Sequence, residues 1–396
     1  MATFAGIDWG GAHHQAAVVD DVGRELANQR FAHDRAGIDG LVASLHDHDK
    51  LVGVTIERSE GLLVERLQSE GFEVFPVSPR VSAAARERHQ AAVRKNDRFD
   101  AFVLADLMRT DGWRWRPLSP ASALQAELRA VTRHRRQCVE NQITVEAQLR
   151  ETLIAYHPAV TALFSSVDRD ATLSFLRDYP TPVAAGRLGE ARMAGFCRRI
   201  GYSGRVPPAV LVERLRANLL TAAEGSVAGH SYAALALADQ LELLNNQLRA
   251  YNRRLDELLS DHPDHQIISS FPAVGRVTAA ELISEIGEDR DRYPTAQALL
   301  AETGAAPVTL SSGKIERVRI RRACNRRLRA TTTSWAYVLK RIDPISAERY
   351  ARACERGATK HTALRGVASS WMRVLWRCWQ DRTLYDPGIH RPETPR

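Results

Sequence analysis

The chain has 396 residues, with 55 Lys and Arg against 47 Asp and Glu, a net charge of +8 and a pI near 9.5. That length predicts two or three domains, and the positive balance favours an anionic partner. Five scattered cysteines (Cys138, Cys197, Cys324, Cys354, Cys378) without a Cys-x-x-Cys pair argue against a zinc ribbon or a disulfide framework. No apolar run approaches the length of a membrane span and no signal-peptide pattern opens the chain, so a cytoplasmic protein is expected. Only five of the basic residues are lysine (Lys50, Lys95, Lys314, Lys340, Lys360). Arginine suits bidentate contacts to phosphate and guanine, although a GC-rich genome produces the same bias.

Residues 1 to about 110 alternate apolar runs with turn signals. Candidate strands are 4–8, 15–19, 25–31, 51–57 and 72–77, and candidate helices are 38–46, 61–70 and 100–108. Three leading strands followed by alternating helices and strands describe an α/β domain, whose ligands sit near strand ends. Asp8 closes the run Phe4-Ala5-Gly6-Ile7, and Glu57 closes Leu51-Val52-Gly53-Val54-Thr55-Ile56. In Lys95-Asn96-Asp97-Arg98-Phe99-Asp100-Ala101, Asp97 and Asp100 are three apart in a helical stretch, so they share a face. Alone, Asp-x-x-Asp is more often a helix cap or a solvated pair. With Asp8 and Glu57 it makes a four-carboxylate set of the kind that holds Mg2+ and activates phosphoryl displacement. The combination points to a metal-dependent enzyme acting on nucleic-acid phosphates.

After Trp113-Arg114-Trp115-Arg116-Pro117 the pattern changes. Leu124, Leu128, Val131, Arg135, Cys138, Gln142, Val145 and Leu149 repeat at alternating steps of four and three, and Leu237, Leu241, Leu244, Leu248, Tyr251, Leu255 and Leu258 form a second seam. An antiparallel coiled coil is expected, with residues 158–230 as a small helical cap. The polar seam residues Arg135 and Gln142 set the register or mark a further partner.

The third block begins near Ile267. Phe271-Pro272-Ala273-Val274-Gly275-Arg276 resembles the turn of helix-hairpin-helix modules, where backbone N–H groups at a helix start approach DNA phosphates; an ordinary helix N-terminus fits equally well. Ser311-Ser312-Gly313 follows. The segment from Lys314 to Arg329 then carries eight basic residues (Lys314, Arg317, Arg319, Arg321, Arg322, Arg326, Arg327, Arg329) against Glu316. Phosphate binding is the favoured reading of so dense a run. The polar, proline-containing tail after about Gln380 is expected to be disordered.

Together these residues resemble the DEDD-type insertion-sequence transposases, the group that includes the Piv invertases and the bridge-RNA-guided recombinases. The resemblance runs from Gly6-Ile7-Asp8 to about Leu339. At the front it rests on Gly-Ile-Asp, the strand-end Glu57 and Lys-x-Asp-x-x-Asp-Ala. At the back it rests on Pro-x-x-Gly, Glu285-Ile286-Gly287, Gly304-x-x-Pro307, Ser312-Gly313 and Asn325-x-x-Leu328-Arg329. It implies a RuvC-like (RNase H-fold) domain over 1–112, a coiled-coil region over 113–262, a mostly helical transposase domain over 263–380 and a tail over 381–396.

Carried over by position, the acidic tetrad that binds Mg2+ (or Mn2+) falls on Asp8, Glu57, Asp97 and Asp100. The nucleophile falls on Ser312, with Gly313 deciding against Ser311. DNA contacts fall on the basic run with Asn325, and on Gly275 and Arg276 in the hairpin-like turn. Ala273 and Cys324 stand where the family has glycine. The resemblance also implies a covalent phosphoserine step, double-stranded DNA and a structured bridge RNA as partners, and a homo-oligomer: dimers pairing into tetramers on DNA, nucleoid-associated when acting.

Three alternatives remain at this level. A RuvC-like junction endonuclease would use the acids without the serine. An actin-like sugar kinase shares Gly6-Ile7-Asp8-Trp9-Gly10-Gly11 but lacks a second Asp-Gly-rich phosphate loop. A decayed, purely DNA-binding relative would tend to have lost catalytic acids, yet all four are present.

Overall fold

The structure, a computed structural model, describes residues 1–89, 96–312 and 315–390. Internal contacts divide the chain into two compact units, Met1–Ala123 with Glu285–Arg396, and Leu124–Ser284.

In the first unit, β1 (Thr3–Trp9), β2 (His13–Asp20) and β3 (Glu25–Ala32) form an antiparallel meander. The chain then alternates through α1 (Arg35–His46), β4 (Leu51–Ile56), α2 (Leu62–Ser69), β5 (Val74–Pro76), α3 (Pro79–His89) and α4 (Asp97–Asp111). Strands β4 and β5 add in parallel, giving a five-stranded mixed sheet of order β3-β2-β1-β4-β5. Three leading strands and an alternating remainder match the sequence expectation; α3 has no counterpart in it. Its stretch Pro79-Arg80-Val81-Ser82-Ala83 lacks a clear apolar stripe, and it buries only Ser82 and Ala85.

Side chains alternate faces along a strand. Ala5, Ile7, Ala16, Val18, Val54 and Ile56 pack with Leu41, Leu45, Leu63 and Leu67 of α1 and α2. Phe4, Ala17 and Val19 lie on the other face, against Ala101 and Ala105 of α4. Gly6 belongs to that second face, and a Cβ there would lie 2.1 Å from Ala105 N and 2.5 Å from Ala101 O. The helix backbone therefore rests directly on the strand. Thr55 fastens the contact, its hydroxyl lying 3.1 Å from Ala5 O and 2.6 Å from Leu104 O. Buried Asp106 ties α3 to α4, with Arg88 and His89 on one oxygen and Arg109 on the other.

The later part of this unit holds α14 (Ala296–Glu302), a hairpin of β6 (Pro307–Ser312) and β7 (Ile315–Ile320), and then α15 (Arg326–Ile342), α16 (Pro344–Glu355), α17 (Lys360–Asp381) and α18 (Pro387–His390). Helices α15–α17 pack on one another, with Trp335 and Trp371 rings 5.9 Å apart. Residues 382–390, expected as disordered tail, include α18, and the Tyr385 ring lies 5.5 Å from Trp371.

The second unit is built on two long helices, α5 (Ala123–Tyr156) and α11 (Glu224–Asp261). They run antiparallel: Glu127 meets Arg254, Arg135 donates to Asn252, and Gln142 donates to Asn245. Both polar seam residues thus find polar partners across the helix pair. Between them α6 (Ala159–Leu163), α7 (Asp170–Asp178), α8 (Pro182–Gly186), α9 (Glu190–Arg199) and α10 (Pro208–Ala217) enclose a core around Phe175, Leu176, Phe196 and Leu211. After α11, α12 (His265–Ser269) leads through a turn into α13 (Arg276–Ile286).

Gly6→Ala should destabilise the first unit by about 3 kcal/mol or more, because the clashing atoms are helix backbone and cannot rotate away. Urea titration followed by near-UV dichroism checks this; a loss under 1 kcal/mol would mean that α4 is not seated on β1.

Candidate active site

Helix α4 runs against the direction of β1 and β4. A Cβ on Gly53, near the start of β4, would meet Met108, whereas Thr55 meets Leu104 and Gly6 meets Ala101. The N-terminus of α4, with Asp97 and Asp100, therefore lies toward the C-terminal ends of both strands. Asp8 has the parity of Gly6 and so faces α4, and Ile7 pairs with Ile56, so Glu57 follows one position beyond the β1–β4 ladder. All four acids sit at one end of the sheet. Asn96 starts α4 there, accepting from Phe99 N at 2.7 Å. Asp97 and Asp100 in the first turn suit the positive end of the helix dipole. Asp97 is exposed and Asp100 is buried. Lys95 lies outside the described residues.

Two of the carboxylates are engaged by α3. Arg86 places one guanidinium nitrogen 2.9 Å from each oxygen of Asp100, and the Ser82 hydroxyl donates to Glu57. Ser82 and Arg86 are four apart, on one face of the helix. Arg98, between the two helix acids, pairs with Glu25 at 2.5 Å. Among the described residues, no group of three or more His, Cys, Asp or Glu side chains stands close enough to hold a metal ion. The all-oxygen donor set and its common position fit a hard divalent cation. In this conformation Arg86 and Ser82 hold Asp100 and Glu57 instead. Neither α3 residue was singled out from sequence, where nothing links them to acids 14 and 25 positions away.

The basic segment begins in a strand, β7: Arg317 stands opposite Leu310 and Arg319 opposite Val308, while Ser312 pairs with Ile315 and Ser311 with Glu316. Val308 and Leu310 in one strand and Val318 and Ile320 in the other carry a period-two signal that the density of arginine obscured. Gly313 and Lys314 lie outside the described residues. Arg321 and Arg322 occupy the following loop, and Arg326, Arg327 and Arg329 the first turn of α15.

Asn325 starts α15. Its side chain accepts from Arg327 N and Leu328 N as the cap of α15 and donates to Glu285 at 2.7 Å. Cys324 packs against Gly304, where φ is +66° and a Cβ would lie 2.8 Å from its sulfur. Arg365 of α17 is a basic residue that sequence did not single out. Burial first, and then the nearby Arg329 guanidinium, hold its pKa below the usual arginine value.

In the hairpin-like turn Ala273 adopts φ +59°, the left-handed conformation for which the family pattern uses glycine. Gly275 keeps a negative φ, and Arg276 pairs with Asp256 at 2.6 Å.

The strand-end acids, the arginine-rich segment and the sheet order match what the sequence led us to expect of a nucleic-acid-processing enzyme. Residues 5–158 match a transposase family profile of the IS110 DEDD type, and residues 265–351 match that of the IS116/IS110/IS902 transposase family. The chain is 33% identical to a candidate mini-circle transposase for IS117 from Streptomyces coelicolor, over 98% of this chain and 96% of the relative. It is 29% identical to the 42 kDa protein of insertion element IS900 from Mycobacterium paratuberculosis, over 97% of each. With the 44.8 kDa protein of IS116 from Streptomyces clavuligerus the identity is 27%, over 97% of this chain and 96% of the relative. The chain belongs to the IS110/IS116 family of transposases, enzymes of DNA transposition, and the sugar-kinase alternative falls away. No helix among the described residues is long and apolar enough to cross a membrane.

Two guanidiniums near enough to repel one another favour an anion such as phosphate nearby. Arg329→Ala and Arg365→Ala should each weaken duplex binding and lower the slope of log K against log salt by about 0.9. Anisotropy titrations at several salt concentrations measure both, and an unchanged slope would remove that arginine from the DNA interface.

Proposed function

We propose that this transposase cuts and rejoins DNA through a covalent phosphoserine at Ser312, assisted by Mg2+ (or Mn2+) held by Asp8, Glu57, Asp97 and Asp100. The observation that carries this reading is the antiparallel seating of α4, which sets two helix acids at the end of the sheet where two strand acids emerge. The strand order, with only β2 antiparallel to its neighbours, supports a RuvC-like RNase H fold. The acids and the β6–β7 hairpin belong to the same compact unit although about 200 residues separate them.

When bound, the metal would polarise the scissile phosphate. The Ser312 hydroxyl gives up its proton and its oxygen bonds to phosphorus, while the bond to one sugar oxygen breaks and that oxygen takes up a proton. The phosphodiester energy stays in the serine ester. A sugar hydroxyl from another end then attacks phosphorus, releases the serine and joins the strands without ATP. Arginines from Arg317 to Arg329, with Lys314, hold the DNA backbone. Arg86 supplies Asp100 with the positive charge that a bound cation would otherwise provide. Family membership and the arginine-rich composition support a structured guide RNA as a further partner, with base pairing reading the target. A homo-oligomer carrying two or four such sites completes the reading.

Denaturing gels with end-labelled DNA carrying the element's junction and target, flanking-region RNA and Mg2+ test the covalent step. Wild type should give a protein–DNA adduct that Ser312→Ala and Asp97→Ala both lose. Cleavage without an adduct, undiminished in Ser312→Ala, would leave a RuvC-like junction nuclease. Arg86→Met should tighten Mn2+ binding measured by calorimetry, since it removes the competing cation. Equal or weaker binding would make the Arg86–Asp100 pair purely architectural.

A further inference from the structure

A cavity of about 500 Å3 opens in the helical cap, which belongs to the second unit, whereas the acids and the basic hairpin belong to the first. One wall is aromatic: the Phe164 and Tyr202 rings meet edge to face with centroids 5.5 Å apart. Gly204 admits the tyrosine, since a Cβ there would lie 2.1 Å from its ring and hydroxyl. Arg169, Arg205 and Arg214 also line the cavity, and none of them has a carboxylate partner. The lining acid, Asp170, is taken by Arg249. Across residues 157–223 there are nine arginines and five acids, a local excess of four positive charges.

An aromatic face beside unpaired guanidiniums is the pairing that binds unstacked nucleotides, with the ring taking the base and the cations taking its phosphates. The volume falls within the range of small-ligand pockets. A base inside a duplex is paired and stacked, so it cannot reach a recessed tyrosine without being extruded. We propose that the cap cavity binds one unpaired nucleotide of a single-stranded nucleic-acid segment, its base against Tyr202 and its flanking phosphates on Arg169, Arg205 and Arg214. The proposal rests on the reading of this chain as a nucleic-acid recombinase for the source of the strand, but it requires neither Ser312 nor the acids.

The test uses full-length protein carrying Ser312→Ala, which separates binding from chemistry. Single-stranded RNA and DNA of about 12 nucleotides, each with one photoreactive 5-iodouracil, are crosslinked and the adduct is mapped by mass spectrometry. The expected adduct is at Tyr202, and the stronger of the two arms names the strand. Arg169→Ala/Arg205→Ala/Arg214→Ala should lower the salt slope by about 2. It should lower affinity roughly tenfold, as should Tyr202→Leu, whereas Tyr202→Phe keeps the ring and the binding. Thermal melts of the exposed arginine variants serve as the folding control. No adduct within 196–206, unchanged affinity in the triple variant, or equal competition by blunt duplex would overturn the proposal. If wild type fails to form the phosphoserine adduct while the Tyr202 crosslink persists, the covalent mechanism falls and the pocket stands; the reverse pattern removes the pocket alone.

Discussion

The backbone of α4 lies against Gly6 with no side chain between them, and the candidate site depends on that contact. Helices ordinarily stand off a sheet by the thickness of two side-chain layers. Here Gly6 removes one layer and Ala101 and Ala105 thin the other, so the helix start comes down to the level of the strand ends. The Thr55 hydroxyl then lies within reach of two carbonyls, Ala5 O in the strand and the closer Leu104 O in the helix, and so opposes sliding along the contact. A carboxylate at a helix start reaches only a few ångströms. Without this approach Asp97 and Asp100 would belong to a different surface from Asp8 and Glu57.

Electrostatics explain why the acids do not simply repel. Asp100 is buried yet bonded through both oxygens to Arg86, and Glu57 takes the Ser82 hydroxyl. Removing one partner of a buried pair is costly, because it leaves an uncompensated charge. Arg86 thus offsets the charge of Asp100 from α3, and Asp106 holds the C-terminal end of α3 to α4 through Arg88 and His89. The same economy recurs in the other unit, where Arg135 and Gln142 find Asn252 and Asn245 across the helix pair.

Much of this was legible in the residues, for local reasons. Apolar runs ending in Asp8 and Glu57 mark strands, because period-two alternation and turn residues bound them within a few positions. Heptad steps likewise announce α5 and α11. The β6–β7 hairpin was obscured because arginines at 317 and 319 occupy strand positions that a hydropathy pattern reads as polar helix or loop. Helix α3 was obscured because it is held by three side chains paired with acids and a hydroxyl, not by an apolar stripe. Ala273 sits at a position where the family favours glycine, and it takes the left-handed conformation there at the steric cost of φ +59°.

Taken alone, the sequence determines the five-stranded α/β region, the two long helices, the identity of the acids and the excess of arginine. These follow from short-range periodicity and composition. Only tertiary structure decides which side chains become neighbours. It brings Arg86 to Asp100, Ser82 to Glu57, Arg365 to Arg329, and Tyr202 against the missing side chain of Gly204. Such pairings depend on how helices are seated on their neighbours, and a seating set by one glycine or one threonine leaves no periodic trace in the chain.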